Sequence, residues 1–254
     1  GTSEIEHILA TQTLVYRMAS TMRITIEGTL KGASTAKDLV LAVLRKITAR
    51  GALGAVVEYT GEAVRALSIE ERMTLCNLTV EAGARGALVA PDEKSHSWVA
   101  EHAKNLTDSD YEAMAEYSKT LYSDVDAQFD KEVFFDASSV KPMVTWGTSP
   151  DQAISFDEKI PTPESFSDPV GKEAAQRALH YQGLKAGEMI LKTPIQHVFI
   201  GSCTNSRLCD LQAAASVIKG RHVASGVRAQ VVPGSMQVRA QAEALGLDVI
   251  FKES

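Results

Sequence analysis

Residues 22–27 read Met-Arg-Ile-Thr-Ile-Glu, and every second side chain of this run is apolar. Such alternation is typical of a β-strand with one buried face. Further along, Thr35-Ala-Lys-Asp38 begins an apolar helical pattern that stops near Gly51, and Ala55–Tyr59 reads as a short buried strand. Strand, helix and strand at this spacing indicate a βαβ unit. We therefore predict an α/β fold with a parallel or mixed sheet covered by helices.

The C-terminal part of the chain repeats this order of elements. Ile195–Ile200 reads as a strand, a helical pattern follows as far as Gly220, and Val227–Val232 reads as the next strand. Gly234-Ser235 then opens another helix. These patterns predict a second doubly wound layer. Neither a Gly-x-Gly-x-x-Gly run nor a phosphate-loop pattern occurs in the sequence, so a nucleotide cofactor is not indicated.

Three segments are predicted from these patterns and from a change in composition. Residues 1–20 contain a helix that is already under way at Glu4, residues 21–141 form an α/β domain, and residues 142–254 form a partial α/β domain. The boundary is placed near Lys141, because the sequence changes character at Pro142. The motif Val144–Pro150 comes first, and a proline-bearing stretch typical of a linker then continues as far as Pro169.

The overall composition argues against several classes of protein. The 254 residues are 44% hydrophobic and 23% charged, with a formal net charge of −6, which is ordinary for a globular protein. The acidic balance and the lack of a basic run argue against a nucleic-acid partner. No apolar stretch approaches the ~20 residues of a membrane-spanning helix. Three cysteines at irregular positions do not make a disulfide framework, so we expect a reducing, cytoplasmic compartment.

Cys203 lies in the run Val198-Phe-Ile-Gly-Ser-Cys-Thr-Asn-Ser-Arg207, at the end of a predicted strand and just before a helical pattern. Unpaired amide groups and the positive end of a helix dipole stabilise a thiolate at such a place. A thiolate is also the form that binds iron or zinc. Cys203 is therefore a metal ligand, a nucleophile, or simply a small buried residue at a strand end.

A second candidate site lies on the helix that Ser68-Ile-Glu-Glu71 opens with a capping box and that we predict to continue to about Ala84. Residues four apart share a helical face, so Asn77, Glu81 and Arg85 stand in a row among mostly apolar or small residues. The row is either a functional surface or an exposed ion pair between Glu81 and Arg85. Such an exposed pair contributes only about 0.3–0.5 kcal/mol.

Several motifs occur in an order that resembles the aconitase superfamily. Ile200-Gly-Ser-Cys-Thr-Asn-Ser206 is similar to the first cluster-cysteine motif of that superfamily, whose members hold a 4Fe-4S cluster. The other motifs are Gly1-Thr-Ser-Glu-Ile-Glu-His7, Thr74-Leu-Cys-Asn-Leu-Thr-Val-Glu-Ala-Gly-Ala-Arg85, Val89-Ala-Pro-Asp-Glu93, Val144-Thr-Trp-Gly-Thr-Ser-Pro150 and Val232-Pro-Gly-Ser235. Within the superfamily they resemble the large subunits of 3-isopropylmalate dehydratase (isopropylmalate isomerase).

This resemblance implies an aconitase-like fold of two three-layer α/β domains, with residues 1–20 left from a preceding domain and the chain an internal piece of a larger subunit. It implies a hydro-lyase that isomerises 2-isopropylmalate to 3-isopropylmalate in leucine biosynthesis, with a small subunit as partner. Asn77 and Glu81 match family positions that line the active site near the cluster. Arg85 has no general counterpart there.

By the same resemblance, Cys203 is a ligand of a 4Fe-4S cluster that takes three protein thiolates. The family supplies the other two from a Cys-x-x-Cys pair downstream of the Val-Pro-Gly-Ser region, and neither Cys76 nor Cys209 is expected to replace them. We therefore expect this chain alone to hold no intact cluster and to be inactive. The alternatives are a sister hydro-lyase (homoaconitase or a methylmalate/citramalate dehydratase), a non-catalytic piece that only docks to the small subunit, and a thiol enzyme with Cys203 as nucleophile.

Overall fold

The structure is a computed structural model, and it describes residues 4–103, 105–201 and 204–254. The α-helices of this part are α1 Ile5–Thr11, α2 Ala36–Ile47, α3 Glu62–Ala66, α4 Ile69–Thr79, α5 Glu93–His102, α6 Asp108–Ser118, α7 Pro169–Gln182, α8 Leu208–Ile218, α9 Met236–Ala244 and α10 Leu247–Glu253. The strands are β1 Ser20–Glu27, β2 Ala55–Thr60, β3 Gly86–Val89, β4 Lys131–Asp136, β5 Met143–Thr145, β6 Ala153–Ser155, β7 His197–Ile200 and β8 Arg228–Val231. The predicted α/β class is confirmed. Among the described residues, no helix is both long enough and apolar enough to cross a membrane.

The first sheet contains four parallel strands in the order β3-β2-β1-β4. Met22 of β1 lies opposite Val57 of β2 and Lys131 of β4, which fixes the register of both central pairs. Met22, Ile24 and Ile26 are at most 1% exposed, because alternate side chains of a strand point to the same face. The βαβ unit predicted from this alternation is confirmed.

Helices α2 and α4 pack against the buried face of this sheet. Each begins with a capping box, formed by Thr35 and Asp38 on α2 and by Ser68 and Glu71 on α4. Four residues of α2 are at most 1% exposed and belong to the same apolar cluster as residues of β1 and β2. They are Leu39, Val40, Val43 and Leu44. Each such side chain contributes about 1.5–3 kcal/mol when it leaves water, so this contact is a major source of stability for the first sheet.

Helix α4 ends earlier than the sequence predicts. Its α-helical part ends at Thr79, a 3₁₀ turn covers Val80–Ala82, and Gly83 leaves the turn with a φ of +81°. Glycine is favoured at such a left-handed position, because a Cβ is strained there. The predicted helix to Ala84 is therefore wrong in its last residues, and Arg85 lies beyond the helix.

The stretch that follows Val144–Pro150 as far as Pro169, predicted as linker-like, belongs to a folded segment that begins at Met143. Strands β5 and β6 form an antiparallel hairpin, and Trp146, Ile154 and Ile160 are at most 2% exposed in a cluster with apolar residues of α7. The linker interpretation is wrong, because the prolines lie between apolar residues that pack together.

This hairpin unit contacts α2 through polar groups. Asp38 accepts a hydrogen bond from the Met143 N–H at 2.7 Å, and Asp151 accepts one from the Ala49 N–H at 2.9 Å. These contacts join residues on both sides of the boundary near Lys141, which stays a prediction.

The C-terminal part contains the second βαβ unit. Strands β7 and β8 are parallel, with Ile200 opposite Val231, and α8 connects them. Helices α9 and α10 pack on α8 and share a small apolar cluster with Leu211. The predicted order of strand, helix, strand and helix is confirmed here.

Candidate functional site

Asn77 and Glu81, the proposed catalytic residues, lie at the C-terminal end of α4 and in the 3₁₀ turn that follows it. Both residues are exposed. Among the described residues, neither side chain forms a hydrogen bond or an ion pair. Both polar groups are therefore open to solvent, as a substrate-binding group must be before substrate arrives.

Arg85 does not continue the row of Asn77 and Glu81. Its guanidinium donates to the Arg17 carbonyl at 2.6 Å and stacks on the Tyr16 ring at 4.7 Å from the centroid. Within the described residues no ion pair joins Arg85 to Glu81, so the alternative of an exposed i,i+4 pair is not realised. The early helix end at Gly83 is the reason, because it turns the backbone before Arg85.

Cys203 lies outside the described residues, and the turn that follows it at residues 204–207 contacts α4. The Asn205 side-chain amide donates to the Thr74 hydroxyl at 3.1 Å, and the Arg207 guanidinium donates to the same hydroxyl at 3.2 Å. Thr74 precedes Asn77 by three residues on α4, so the two share a helical face. The turn after Cys203 thus contacts the helix that carries the other proposed site residues.

The same turn is tied to the Val-Pro-Gly-Ser motif. The Ser206 hydroxyl donates to the Val232 carbonyl, and the Gly234 N–H donates to the Ser206 carbonyl at 2.9 Å. Gly201 has a φ of +144°, and a Cβ there would lie 2.5 Å from the Val232 carbonyl oxygen. Glycine is therefore required at position 201, because the backbones of Gly201 and Val232 approach too closely for a side chain.

A cleft of about 530 Å³ lies where these elements meet. Its walls include Thr35 at the start of α2, Glu70 and Thr74 on α4, and Arg207 and Asp210 at the start of α8. Helices that follow parallel strands begin at the carboxyl edge of the sheet, which is where α/β proteins bind ligands. The cleft is thus in a position typical of a ligand site.

Glu70 is a carboxylate in the wall of this cleft, and its pKa is lowered. Burial raises its pKa, but the indole N–H of Trp98 at 2.8 Å, a backbone N–H and the charge of Arg207 outweigh burial and hold the pKa of Glu70 below its ordinary value. Glu70 is therefore ionised near neutral pH. It supplies negative charge to the wall opposite Arg207.

The Val89–Glu93 motif has a structural role that the sequence did not reveal. Asp92 accepts two hydrogen bonds from the Arg72 guanidinium, at 2.8 and 2.5 Å, and caps α5 through the Ser95 N–H. The Arg72 side chain is only 5% exposed. Arg72 and Lys94 both donate to the Arg65 carbonyl at the end of α3. This network fixes the N-terminal half of α4, and with it the wall of the cleft.

The two described cysteines, Cys76 and Cys209, lie on different helices, α4 and α8. Cys76 is half-buried, and burial raises the pKa of its thiol. Partial burial and the carboxylates of Asp210 and Glu70 raise the pKa of Cys209. Among the described residues, no group of three or more His, Cys, Asp or Glu side chains could hold a metal ion.

Thr74, Asn205 and Arg207 are the site residues that sequence reasoning missed. Thr74 could have been found from its spacing to Asn77, because a residue three positions earlier lies on the same helical face. Asn205 and Arg207 belong to the motif already singled out around Cys203, but no local pattern indicates their partner on α4.

A comparison with known protein families matches residues 1–254, the whole chain, to the Aconitase family (aconitate hydratase). The match agrees with the α/β architecture and with the hydrogen bonds that join the turn after Cys203 to Thr74 and to Val232. Asn77, Glu81 and Val232 are not among the described residues that line the cleft. The match indicates a hydro-lyase role and confirms the resemblance to the superfamily. The chain belongs to the aconitase family.

Proposed function

We propose that this chain is part of a 3-isopropylmalate dehydratase, a hydro-lyase that isomerises 2-isopropylmalate to 3-isopropylmalate in leucine biosynthesis. In this proposal it acts in the cytoplasm with a small subunit as partner. The convergence of motifs carries the proposal: Thr74 contacts Asn205 and Arg207 of the Cys203 motif, and Ser206 of that motif bonds Val232. Motifs distant in sequence that contact one another beside a cleft are typical of an active site.

Glu81 is the acid–base residue of this proposal, and Asn77 orients the substrate. An exposed carboxylate can take a proton from a substrate group or return one, which is typically worth about 10²–10⁴-fold in rate. A carboxamide can donate to a substrate carboxylate and accept from a hydroxyl at the same time. Both side chains have their hydrogen-bonding groups exposed, which supports these roles.

We further assign Cys203 as one thiolate ligand of a 4Fe-4S cluster. When bound, an open iron of such a cluster supplies a Lewis acid for the leaving hydroxyl. Cys76 and Cys209 are not assigned to the ligand set, since neither belongs to a group of three or more possible metal ligands among the described residues. Among this chain's own residues, Glu81 handles the proton and Asn77 binds the substrate.

Turnover by the intact enzyme that contains this chain, assembled with its small subunit and reconstituted anaerobically with iron and sulfide, tests the proposal. We expect Glu81→Gln to lower kcat about 100-fold or more, because the amide cannot accept a proton. Glu112→Gln is the matched control, since Glu112 is an exposed glutamate on α6, and it should leave kcat unchanged. The absorbance of the unsaturated intermediate is the readout.

A panel of substrates distinguishes 3-isopropylmalate dehydratase from the sister hydro-lyases. Faster turnover of the substrate of homoaconitase or of citramalate dehydratase would assign the chain to a sister hydro-lyase. Equal kcat for Glu81→Gln and the wild type would remove Glu81 from the mechanism.

A further inference from the structure

We infer that Thr74 is a positioning residue, whose hydroxyl holds the turn at residues 204–207 against α4. Cys203 directly precedes this turn in the sequence, and Asn77 and Glu81 follow Thr74 along α4 and its 3₁₀ extension. Thr74 thereby sets the spacing between the two proposed halves of the site. The catalytic consequence of this inference rests on the proposed function, whereas the placement of the turn does not.

The hydroxyl of Thr74 has a full set of hydrogen bonds. It donates to the Glu70 carbonyl at 3.1 Å, and it accepts from Asn205 at 3.1 Å and from Arg207 at 3.2 Å. A hydroxyl offers one proton and two lone pairs. Because the bond to Glu70 uses the only proton, both lone pairs are left for the two donors of the turn.

Burial makes this hydroxyl difficult to replace with water. Thr74 is 2% exposed. Asn205 and Arg207 also contact Asp210, which accepts from the Asn205 amide at 3.4 Å and from the Arg207 N–H at 2.9 Å. The turn is therefore held between α4 on one side and the start of α8 on the other. Loss of the Thr74 hydroxyl removes the described hydrogen bonds from Asn205 and Arg207 to α4.

A second buried threonine on α4 provides a matched comparison. The Thr79 hydroxyl donates to the Leu75 carbonyl at 2.6 Å and contacts the Tyr59 hydroxyl at 2.8 Å. Thr79 is 0% exposed. Its partners all belong to the first sheet and α4, so it shares the burial and the helix of Thr74 but not the contact with the turn.

Hydrogen exchange of backbone amides, read by mass spectrometry in the full chain, tests the positioning. Thr74→Val removes the hydroxyl at nearly constant volume, and we expect exchange in peptides covering residues 205–211 to accelerate about tenfold. Thr74→Ser keeps the hydroxyl and should stay within about twofold of the wild type. Thr79→Val should leave exchange over residues 205–211 at the wild-type rate.

Two results would overturn the inference. Wild-type exchange over residues 205–211 in Thr74→Val would mean that Val232 and Gly234 suffice to hold the turn. Equal acceleration there in Thr79→Val would mean that any buried hydroxyl of α4 has the same effect. If Thr74→Val unfolds the whole chain, Asn205→Ala decides, because it removes a donor from the turn itself. That variant must accelerate exchange over residues 207–211, and unchanged exchange would overturn the inference.

Kinetics of the intact enzyme test the catalytic consequence. Thr74→Val should lower kcat about tenfold with KM changed by less than about twofold, because misplacement of catalytic groups acts mainly on the chemical step. Thr74→Ser should restore kcat. Altered exchange with unchanged kcat would overturn the catalytic part of the inference. An inactive wild-type enzyme would instead contradict the proposed function, and hydrogen exchange would still decide the placement of the turn.

Discussion

The two βαβ units have the same order of elements, yet their cores differ. In the first unit, β1 is a central strand of a four-stranded sheet, and Ile24 is 0% exposed. In the second unit, β7 pairs with β8 in a sheet of two strands within the described residues, and Phe199 is 61% exposed. The apolar cluster of the second unit is small, and its buried residues are Leu211, Ala215, Ala242 and Leu247. A βαβ pattern therefore specifies local topology, whereas the number of neighbouring strands and helices determines how much apolar surface is buried.

This difference changes which contacts hold each unit in place. The first unit has an apolar core that spans the whole sheet. The second unit reaches α4 through hydrogen bonds from Asn205 and Arg207 to one hydroxyl. Hydrogen bonds are directional, so they fix a geometry more sharply than they add stability. The unit with the smaller apolar core thus contains the turn at residues 204–207, which directly follows Cys203 in the sequence.

Matched leucine truncations in the two cores should give the largest effect. Leu44 on α2 and Leu211 on α8 are both 1% exposed. We expect Leu44→Ala to cost about 4 kcal/mol in the free energy of unfolding and Leu211→Ala about 2 kcal/mol, because a small cluster collapses more easily around a cavity. Urea unfolding followed by circular dichroism measures both. Equal costs would show that the two cores are equally rigid.

A matched pair of aspartate substitutions should give the next largest effect. Asp92 pairs with a nearly buried arginine in the first unit, whereas Asp248 pairs with the exposed Lys252 at 2.7 Å in the second. We expect Asp92→Asn to cost about 2 kcal/mol, less than for a fully buried pair because the Asp92 side chain is 31% exposed. Asp248→Asn should cause no measurable change in the urea midpoint. A larger shift for Asp248→Asn would reverse the comparison.

The contribution of Asp92 should also depend on pH. Hydrogen bonds from Arg72 outweigh burial and hold the pKa of Asp92 below its ordinary value. A lowered pKa in the folded state stabilises the fold above the unfolded value of about 3.9, and this stabilisation is lost as pH falls through the folded value. The unfolding free energies of the wild type and Asp92→Asn should therefore differ most at pH 7. They should converge as pH falls from about 4 towards 2, and a constant difference would contradict this assignment.

The parts of the fold that depend on local chemistry could be predicted from the sequence. The alternation at Met22–Glu27 and the capping box at Thr35 both involve residues a few positions apart, and both predictions are confirmed. The fold of the segment around Trp146 could not be predicted. Its structure depends on packing against α7, which begins more than twenty residues later in the sequence. Prolines in that segment indicate turns, and a turn-rich sequence does not by itself reveal whether its apolar residues meet.

The candidate site divides in the same way. Helical spacing places Asn77 near Glu81, and that prediction needs only the geometry of one helix. The contact of Thr74 with Asn205 joins residues 131 positions apart, so no periodicity can indicate it. Arg85 does not continue the row of Asn77 and Glu81, because Gly83 ends the turn one residue before the predicted helix end at Ala84. Whether Cys203 binds iron stays a prediction.

The smallest effects should come from single buried hydroxyls, one in each unit. Tyr59→Phe removes a hydroxyl from the first core, but its partner Thr79 keeps its bond to the Leu75 carbonyl. We expect a cost of about 0.5–1 kcal/mol, because no polar group is left without a partner. Burial raises the pKa of Tyr59 far above its ordinary value, so this cost should not vary between pH 6 and about 9. Ser206→Ala removes the donor to the Val232 carbonyl in the second unit.

The two hydroxyl variants should differ in where their effect lies rather than in its size. A hydroxyl in a large core couples to the whole sheet, so Tyr59→Phe should shift the urea midpoint. In Ser206→Ala we expect the loss to be confined to the turn and the strand end, because the described buried apolar residues of the two units form separate clusters. Hydrogen exchange should therefore accelerate at residues 204–207 and 232–235 while the urea midpoint moves less than for Tyr59→Phe. If Ser206→Ala shifts the midpoint more than Tyr59→Phe does, the turn contributes to global stability, and the contrast between the two units is smaller than their cores imply.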